Sequence, residues 1–232
     1  MDGIAQSVSL LCRGEATQLQ SWLRTGRGRL ALSLGCIVVG GAIYGFTVGI
    51  LRSPVQASYA AIKFPVLIFA TVLCNGLLNA MLGTLLGVRL SLSESLRAIL
   101  MSYAIACVFL ASLAPVFFFH VWNWSSGGAG NSFFYWKLFH IGIIALAGTI
   151  GNVRLWQLLV SVAGRLKARF VLLAWLGANL FLGCQLSWIL RPFFGNPNIE
   201  VAFLRDDALD RSFYEDVWVI LQGLWTQLDA SY

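Results

Sequence analysis

Five long apolar segments constrain this chain more than any other feature of its sequence. A helix needs about twenty apolar residues to cross a hydrocarbon core roughly 30 Å thick, and lipid offers no partners to unpaired backbone groups. Segments of that length and few charges run over 30–51, 64–88, 98–121, 139–162 and 170–190. The sequence therefore predicts an all-α fold, a polytopic membrane helix bundle of five transmembrane helices with short amphipathic helices at both ends.

The composition agrees with a lipid environment. The chain is 58% hydrophobic and only 11% charged, whereas about 25% of the residues in a soluble domain are charged. Its formal net charge of +6 could suggest a nucleic-acid partner. The basic residues, however, lie beside apolar segments and form no patch with interleaved aromatic residues. We therefore expect membrane lipids as surroundings and no nucleic acid.

Proline and polar residues set the expected limits of the second and fourth spans. Lys63 and Pro65 open the second apolar run, and proline is tolerated in a first helical turn because its missing N–H would be unpaired there. We therefore expect this helix to begin at Lys63. Asn152 and Arg154 interrupt the fourth run. The membrane boundary is expected near Arg154, with an amphipathic end beyond it.

Two appendages flank the membrane domain, which we place at 29–191. Residues 1–28 form a cytoplasmic segment predicted to be an amphipathic helix on the membrane surface. Residues 192–232 form an acidic extramembrane tail, in which Ser212 and Glu215 have the spacing of a capping box before a helix. The apolar residues partly aligned in the first segment are Ile4, Val8, Leu11, Leu19, Trp22 and Leu23.

Basic residues predict the orientation, because Lys and Arg near span ends favour the cytoplasm. With a cytoplasmic N-terminus, that side holds ten of the sixteen basic residues. Seven of the ten acids follow the fifth span. We therefore expect the C-terminal tail on the opposite side. The six basic residues expected on that side are Arg52, Lys63, Lys137, Arg191, Arg205 and Arg211.

The sequence contains no recognisable catalytic or metal-binding motif. The two histidines, His120 and His140, are outside any HExxH pattern, and neither GxSxG nor GxxxxGK[ST] occurs. The five cysteines form no CxxC pair and no cluster with histidine. We therefore expect neither an enzyme nor a bound cofactor, metal or disulfide framework.

Polar side chains within the predicted spans are the next candidates for a site. Asn75 and Asn79 are four residues apart and share one helix face, and Asn179 and Gln185 offer partners on the fifth span. His140 lies near the start of the fourth span. These groups indicate either hydrogen bonds between helices or a polar path for a substrate or ion.

Glycines at helical spacing predict close helix packing. Gly41, Gly45 and Gly49 recur every fourth position in the first span, as Gly83 and Gly87 do at the end of the second. Small residues let helix backbones approach closely in lipid. The two stripes predict packing within the chain or, alternatively, in a homo-oligomer.

A turn rich in proline and aromatic residues follows the fifth span. The segment 191–198 contains two prolines and a glycine, which fix an irregular path outside the membrane. It is interpreted either as a connection that docks the tail helix or as a partner-binding surface. The candidate residues for that surface are Arg191, Pro192, Phe193, Phe194, Asn196 and Trp218.

Two stretches resemble a group of largely uncharacterised bacterial multi-span membrane proteins. They are GAIYGFTVGILRSPVQASYAAIKFPVLIFATVLCNGLLNAMLG and CQLSWILRPFFGNPN with FLRDD, within roughly residues 30–207. That group is loosely similar to the Yip family of five-span membrane-trafficking proteins. The resemblance implies a bacterial inner membrane, a cytoplasmic N-terminus, no catalytic centre and action through membrane partners. The brief N-terminal region and the acidic tail depart from the family.

The leading hypothesis is a non-enzymatic integral membrane subunit or scaffold that assembles with itself or with partner proteins. The alternative is a channel, permease or lipid-translocating component. A pore requires a continuous hydrated path lined by groups such as Asn75, Asn79, His140 and Asn179, whereas a scaffold is sealed by apolar packing.

Overall fold

The computed structural model describes residues 2–13, 19–20, 22–23, 27–88, 90–123, 131–195, 200–219 and 222. Throughout these residues the regular secondary structure is helical, without a strand. A short helix, α7, covers 213–219 in the tail. The other helices are α1 (Asp2–Arg13), α2 (Arg27–Ile50), α3 (Pro54–Leu85), α4 (Leu92–Trp122), α5 (Asn131–Ala163) and α6 (Arg165–Ile189).

The helices α2 to α6 are each long and apolar enough to cross a membrane. The most apolar 18-residue windows of the five have mean hydropathies from 1.5 to 2.2. Even α2, with 24 residues, is about 36 Å long at 1.5 Å per residue, more than a hydrocarbon core requires. The prediction of a polytopic all-α membrane bundle is confirmed.

The start of α3 differs from the prediction. The helix begins at Pro54, not at Lys63, and the Ser53 hydroxyl accepts a hydrogen bond from the Gln56 backbone N–H at 3.1 Å. Pro54 therefore has the first-turn role that the sequence analysis gave to Pro65. Lys63 lies inside the helix, because its ammonium group donates to the Pro192 carbonyl.

The helix of the fourth span is continuous through Asn152 and Arg154, the two polar residues that interrupt its apolar run. The Asn152 amide donates to the Gly148 carbonyl of the preceding turn at 2.8 Å. The Arg154 guanidinium donates to the Gln157 side chain at 3.0 Å and to the Cys12 carbonyl. Both polar side chains are thus satisfied without breaking α5.

Capping boxes start two helices. Ser91 and Glu94 cap α4 reciprocally, with the Ser91 N–H donating to the Glu94 carboxylate at 2.9 Å. In the tail, the Ser212 N–H donates to the Glu215 carboxylate at 3.0 Å, and the Glu215 N–H donates to the Ser212 hydroxyl at 3.1 Å. The predicted capping box at Ser212 is therefore confirmed.

The N-terminal segment packs on the bundle. Leu11, Leu19, Trp22 and Leu23 are buried in one cluster with the N-terminal half of α4. The Trp22 indole donates to the Ser33 hydroxyl at 3.1 Å. Four of the six residues in the predicted apolar stripe therefore pack on the protein itself, since burial removes their apolar surface from water. Val8 is half-buried, and the Ile4 side chain lies outside the described residues.

Glycines bring α2 very close to its two neighbours. A Cβ atom added at Gly45 would lie 2.5 Å from the Ala60 carbonyl oxygen, and one at Gly49 would lie 2.6 Å from that of Gln56. On the opposite side, a Cβ at Gly40 would lie 2.7 Å from the Cys107 carbonyl oxygen. We call the tightly packed helices α2, α3 and α4 the closed half.

The last two spans are much less buried. In the most apolar windows of α5 and α6, 22% and 11% of the residues are buried. The buried residues of α6 are Ala168, Val171 and Trp175, which all lie in its first half. We call α5 and α6 the open half.

Candidate functional site

His140 and Tyr44 form a buried polar pair between α5 and α2. The Tyr44 hydroxyl lies 2.7 Å from His140 Nδ1, and both residues are fully buried. The imidazole is 4.7 Å from the Phe117 ring and 4.4 Å from the Trp136 ring, centre to centre. His140 Nε2 has no hydrogen-bond partner within the described residues. The pair fastens the open half to the closed half inside an aromatic layer.

Lys63 and Gln56 form a second polar contact, directed at the turn after α6. The Lys63 ammonium donates to the Pro192 carbonyl at 2.9 Å, and the Gln56 amide donates to the Pro192 and Phe193 carbonyls, each at 2.9 Å. Lys63 is fully buried, and its Nζ lies 5.0 Å from the Phe203 ring centre. Carbonyl and aromatic groups thus stabilise this charge, which forms no ion pair within the described residues.

The turn after α6 is therefore an internal connection. Phe193 packs on Phe64 with ring centres 5.4 Å apart, and Phe194 lies 5.7 Å from His140. Of the residues predicted to bind a partner, Pro192, Phe193 and Phe194 contact the bundle instead, as the docking interpretation expects. Asn196 lies outside the described residues.

Asn75 and Asn179 join α3 to α6. The Asn75 amide donates to the Ala178 carbonyl at 2.9 Å and to the Asn179 side chain at 3.3 Å. One turn away, the Trp175 indole donates to the Asn79 carbonyl at 2.6 Å. The Asn79 amide itself is fully buried and has no hydrogen-bond partner among the described residues.

The glycine stripes meet different neighbours. Gly41 lies against Pro65, with 3.3 Å from an added Cβ to the ring, so it packs on α3 as Gly45 and Gly49 do. Gly83 faces the Trp175 ring on α6, at 3.5 Å. Gly87 lies in the turn after α3 with φ +80, a backbone conformation that side chains rarely adopt.

The tail is fastened to the C-terminal end of α6. The Trp188 indole donates to the Arg211 carbonyl at 2.7 Å, and Gln185 accepts from the Phe213 N–H at 3.0 Å. The Tyr214 hydroxyl donates to the Phe181 carbonyl. Gln185, predicted as an intramembrane polar group, therefore holds the tail.

Charged residues tie the tail to the end of α6 as well. Arg191 lies 3.4 Å from the Asp207 carboxylate, and its guanidinium stacks 3.8 Å from the centre of the Trp188 ring. Arg205 pairs with Asp207 at 2.8 Å. A cavity of about 340 Å³ lies among these residues. We call the segment 200–219 the tail platform.

The tail platform exposes large apolar side chains. Leu209 is 80% exposed, Trp218 is 62% exposed and Val219 is 56% exposed. The same segment also carries the carboxylates of Asp206, Asp210, Glu215 and Asp216. The platform therefore combines a fixed backbone with an exposed apolar and acidic surface.

A groove of about 650 Å³ lies between α4, α5 and α6. Its lining is mainly apolar and includes Tyr103, Gly148, Trp156 and Leu176. Of the intramembrane polar residues singled out in the sequence, Asn179 lines this groove, whereas Asn75, Asn79 and His140 do not. Asn75 and Asn179 thus lie together at the contact between α3 and α6, whereas His140 lies at the contact between α2 and α5.

The described residues hold no group of three His, Cys, Asp or Glu side chains that could bind a metal ion. The five cysteines are all free. Burial raises the pKa of Cys12 above its ordinary value of 9.0, while the nearby Arg154 and Arg13 lower it less. Cys12 is therefore a thiol of low reactivity at neutral pH.

Sequence reasoning missed Lys63, Gln56 and Tyr44 as members of buried polar contacts. A lysine inside an apolar run is itself a signal, because an ionisable group in a membrane requires a partner. Its partner, the Pro192 carbonyl, is 129 residues away in the chain.

Comparison with known proteins adds no relative. No family model, curated protein or solved structure matches the chain.

Proposed function

We propose that the protein is a non-enzymatic integral membrane subunit that assembles with another membrane protein through its tail platform. This proposal rests on one observation: the tail platform is held in place by α6, yet it leaves large apolar side chains exposed. Side chains of α6 hold the platform at Arg211 and Phe213, while Leu209 and Trp218 stay open. An ordered surface loses little conformational entropy on binding.

The exposed side chains give the proposed interface its energy. Burying a side chain such as Leu209 contributes about 1.5–3 kcal/mol, and tryptophan is frequent among the residues that dominate binding. Asp206, Asp210 and Glu215 belong to the same segment. We therefore infer a partner with a basic and apolar outer surface. A second copy would present the same acids, and like charges oppose such a pairing.

The buried polar groups support a subunit better than a channel. Tyr44 and His140 join α2 to α5, while Asn75 and Asn179 join α3 to α6. Lys63 holds the turn after α6. Each group bonds across helices at its own place, which favours sealed packing over a continuous polar path.

The proposed orientation places α1 in the cytoplasm and the tail platform on the opposite side, in a bacterial inner membrane. Lys63 lies inside α3, so it leaves the outer loops that the charge comparison assigned to it. This change increases the excess of basic residues at the cytoplasmic end. The resemblance to Yip-like proteins, which act through membrane partners, fits the same proposal.

Site-specific photo-crosslinking in native membranes tests the proposal. A photoreactive phenylalanine analogue at Trp218 of the full chain should give one discrete adduct with a second membrane protein. Trp122, at the outer end of α4, is the matched control, because it is an aromatic residue with 90% exposure outside the platform. The adduct should be absent there.

Two results would overturn the proposal. No protein adduct at Trp218, or the same set of adducts at Trp218 and Trp122, would mean that the platform is not a specific interface. An adduct with a second copy of this chain would mean that the platform mediates self-assembly and does not bind a different protein.

A further inference from the structure

The groove between α4, α5 and α6 is open on the side of Gly148. A Cβ atom added at Gly148 would have no neighbour within 4 Å, although this glycine lies in the middle of a spanning helix. By contrast, a Cβ at Gly151, one turn along α5, would lie 2.5 Å from the Ser102 carbonyl oxygen of α4. One side of α5 is therefore packed, and the adjoining side is vacant.

The position of the groove selects lipid as its occupant. Its lining on α4 includes Ile99 and Ala106, and its lining on α6 runs from Leu172 to Leu180. These residues lie on membrane-spanning helices: the α4 lining is in the half that begins at Leu92, and the α6 lining is near the middle of that helix. The polar side chains Thr149 and Asn152 bond back to their own helix. What remains open is an apolar wall of acyl-chain dimensions.

Two arginines continue the groove face of α6 toward its N-terminal end. Arg165, Arg169, Leu172 and Leu176 follow one another at intervals of four, three and four residues, which places them on one face of the helix. Leu172 and Leu176 line the groove. Arg165 and Arg169 are exposed and form no ion pair within the described residues.

The spacing fits a phospholipid standing along α6. Arg169 is three residues from Leu172, a rise of about 4.5 Å, and Arg165 is about 6 Å further along the helix. A phosphate at the level of the arginines would therefore direct its acyl chains into the groove. Trp156 lines the same groove on α5, and indole rings favour the level between headgroups and acyl chains.

We infer that this groove binds an anionic glycerophospholipid from the leaflet that the basic end faces, with an acyl chain beside Gly148 and the phosphate at Arg165 and Arg169. The charge of the arginines selects anionic over zwitterionic headgroups. Its arginine end lies at the opposite end of α6 from the contacts that hold the tail platform, so the headgroup contacts can be tested separately from the proposed partner.

Native mass spectrometry of the full chain in mild detergent tests this inference, with phosphatidylglycerol and phosphatidylcholine of identical acyl chains as probes. The wild-type chain should bind one phosphatidylglycerol about tenfold more tightly than phosphatidylcholine. The double variant Arg165→Gln/Arg169→Gln should lose this preference. Gly148→Leu, whose side chain would enter the vacant space, should weaken binding of both lipids.

Two matched variants control for charge and for size. Arg13→Gln/Arg27→Gln removes two exposed charges from other helices of the same end, and Gly142→Leu enlarges a second glycine of α5 that has open space but does not line the groove. Both should bind phosphatidylglycerol like the wild type. If Gly148→Leu fails to fold, the lipid preference of the Arg165→Gln/Arg169→Gln chain tests the inference by itself.

Equal binding of the two lipids by the wild-type chain would overturn the inference. So would retained phosphatidylglycerol preference in Arg165→Gln/Arg169→Gln, or unchanged binding in a folded Gly148→Leu chain. A protein segment occupying the groove in place of lipid would also refute it.

Discussion

Glycine has different surroundings in the closed half and in the open half. In α2, Gly45 and Gly49 let the α3 backbone approach until no side-chain atom would fit. In α5, Gly142 and Gly148 face open space. Correspondingly, 44% of the residues in the most apolar window of α2 are buried, against 11% in α6. Glycine therefore marks close packing where α2 meets α3 and an unfilled surface on one side of α5, although Gly151 of α5 also packs closely on α4.

This difference in packing means that the closed half is the main source of stability, whereas the open half offers the surfaces available to other molecules. Dispersion contacts between close helices stabilise a membrane bundle where lipid is as apolar as the protein. These contacts concentrate in α2, α3 and α4. The open half contacts the closed half through a few hydrogen bonds and through part of one apolar cluster, which includes Leu158 of α5 and Trp175 of α6, and its remaining surface faces lipid or a partner.

The largest expected effect comes from enlarging a glycine of the closed half. Gly45→Leu would place a side chain 2.5 Å or less from the Ala60 carbonyl, so α2 and α3 must separate, at a cost of more than about 3 kcal/mol. Gly142→Leu should change stability by less than about 0.5 kcal/mol. Unfolding by denaturing detergent measures both. Similar losses for the two variants would erase the distinction between the halves.

A smaller effect is expected at the polar pair that joins the halves. Tyr44→Phe leaves buried His140 without its hydrogen bond at Nδ1, which should lower the free energy of unfolding by about 1–2 kcal/mol. Adding His140→Phe removes both polar groups and should recover part of that loss. The same detergent unfolding measures the cycle, and a Tyr44→Phe chain as stable as the wild type would mean that the pair does not fasten α5.

The contact between α3 and α6 should contribute less to the free energy of unfolding than the pair of Tyr44 and His140. Asn75→Ala is expected to cost about 1 kcal/mol, and a double-mutant cycle with Asn179→Ala should give a coupling of about 0.6 kcal/mol, typical of hydrogen bonds between spanning helices. Strictly additive losses would show that the two amides do not interact.

The sequence predicted the architecture because hydrophobicity along the chain is a local property. It failed where a distant contact satisfies a polar group. Lys63 resembled a helix start, yet the Pro192 carbonyl allows it inside α3. Arg154, likewise, donates to the Cys12 carbonyl, a contact with a distant part of the chain that the local pattern does not reveal. The true start of α3 has a local signal, since Ser53 followed by Pro54 is typical of a helix N-terminus.

The smallest effect concerns the N-terminal segment, whose docking adds to the closed half. Because burial raises the pKa of Cys12, less thiolate forms near pH 8 in the folded chain than in the unfolded one. A variant retaining only Cys12 should therefore react with maleimide more slowly in mild detergent than in denaturing detergent. The difference should narrow as the pH rises above 9.0, the ordinary pKa. Equal rates near pH 8 would mean that the segment is not docked.

The central claim is that the protein acts as a subunit whose tail platform contacts a partner. Purification of the full chain from its native membrane in mild detergent, followed by identification of co-purifying proteins, tests it most directly. We expect one partner in constant ratio to this chain. The Gly142→Leu chain should retain the partner, and the Trp218→Ser chain should lose it or bind much less of it. A chain that purifies only as a monomer, or a partner retained equally by Trp218→Ser, would contradict it.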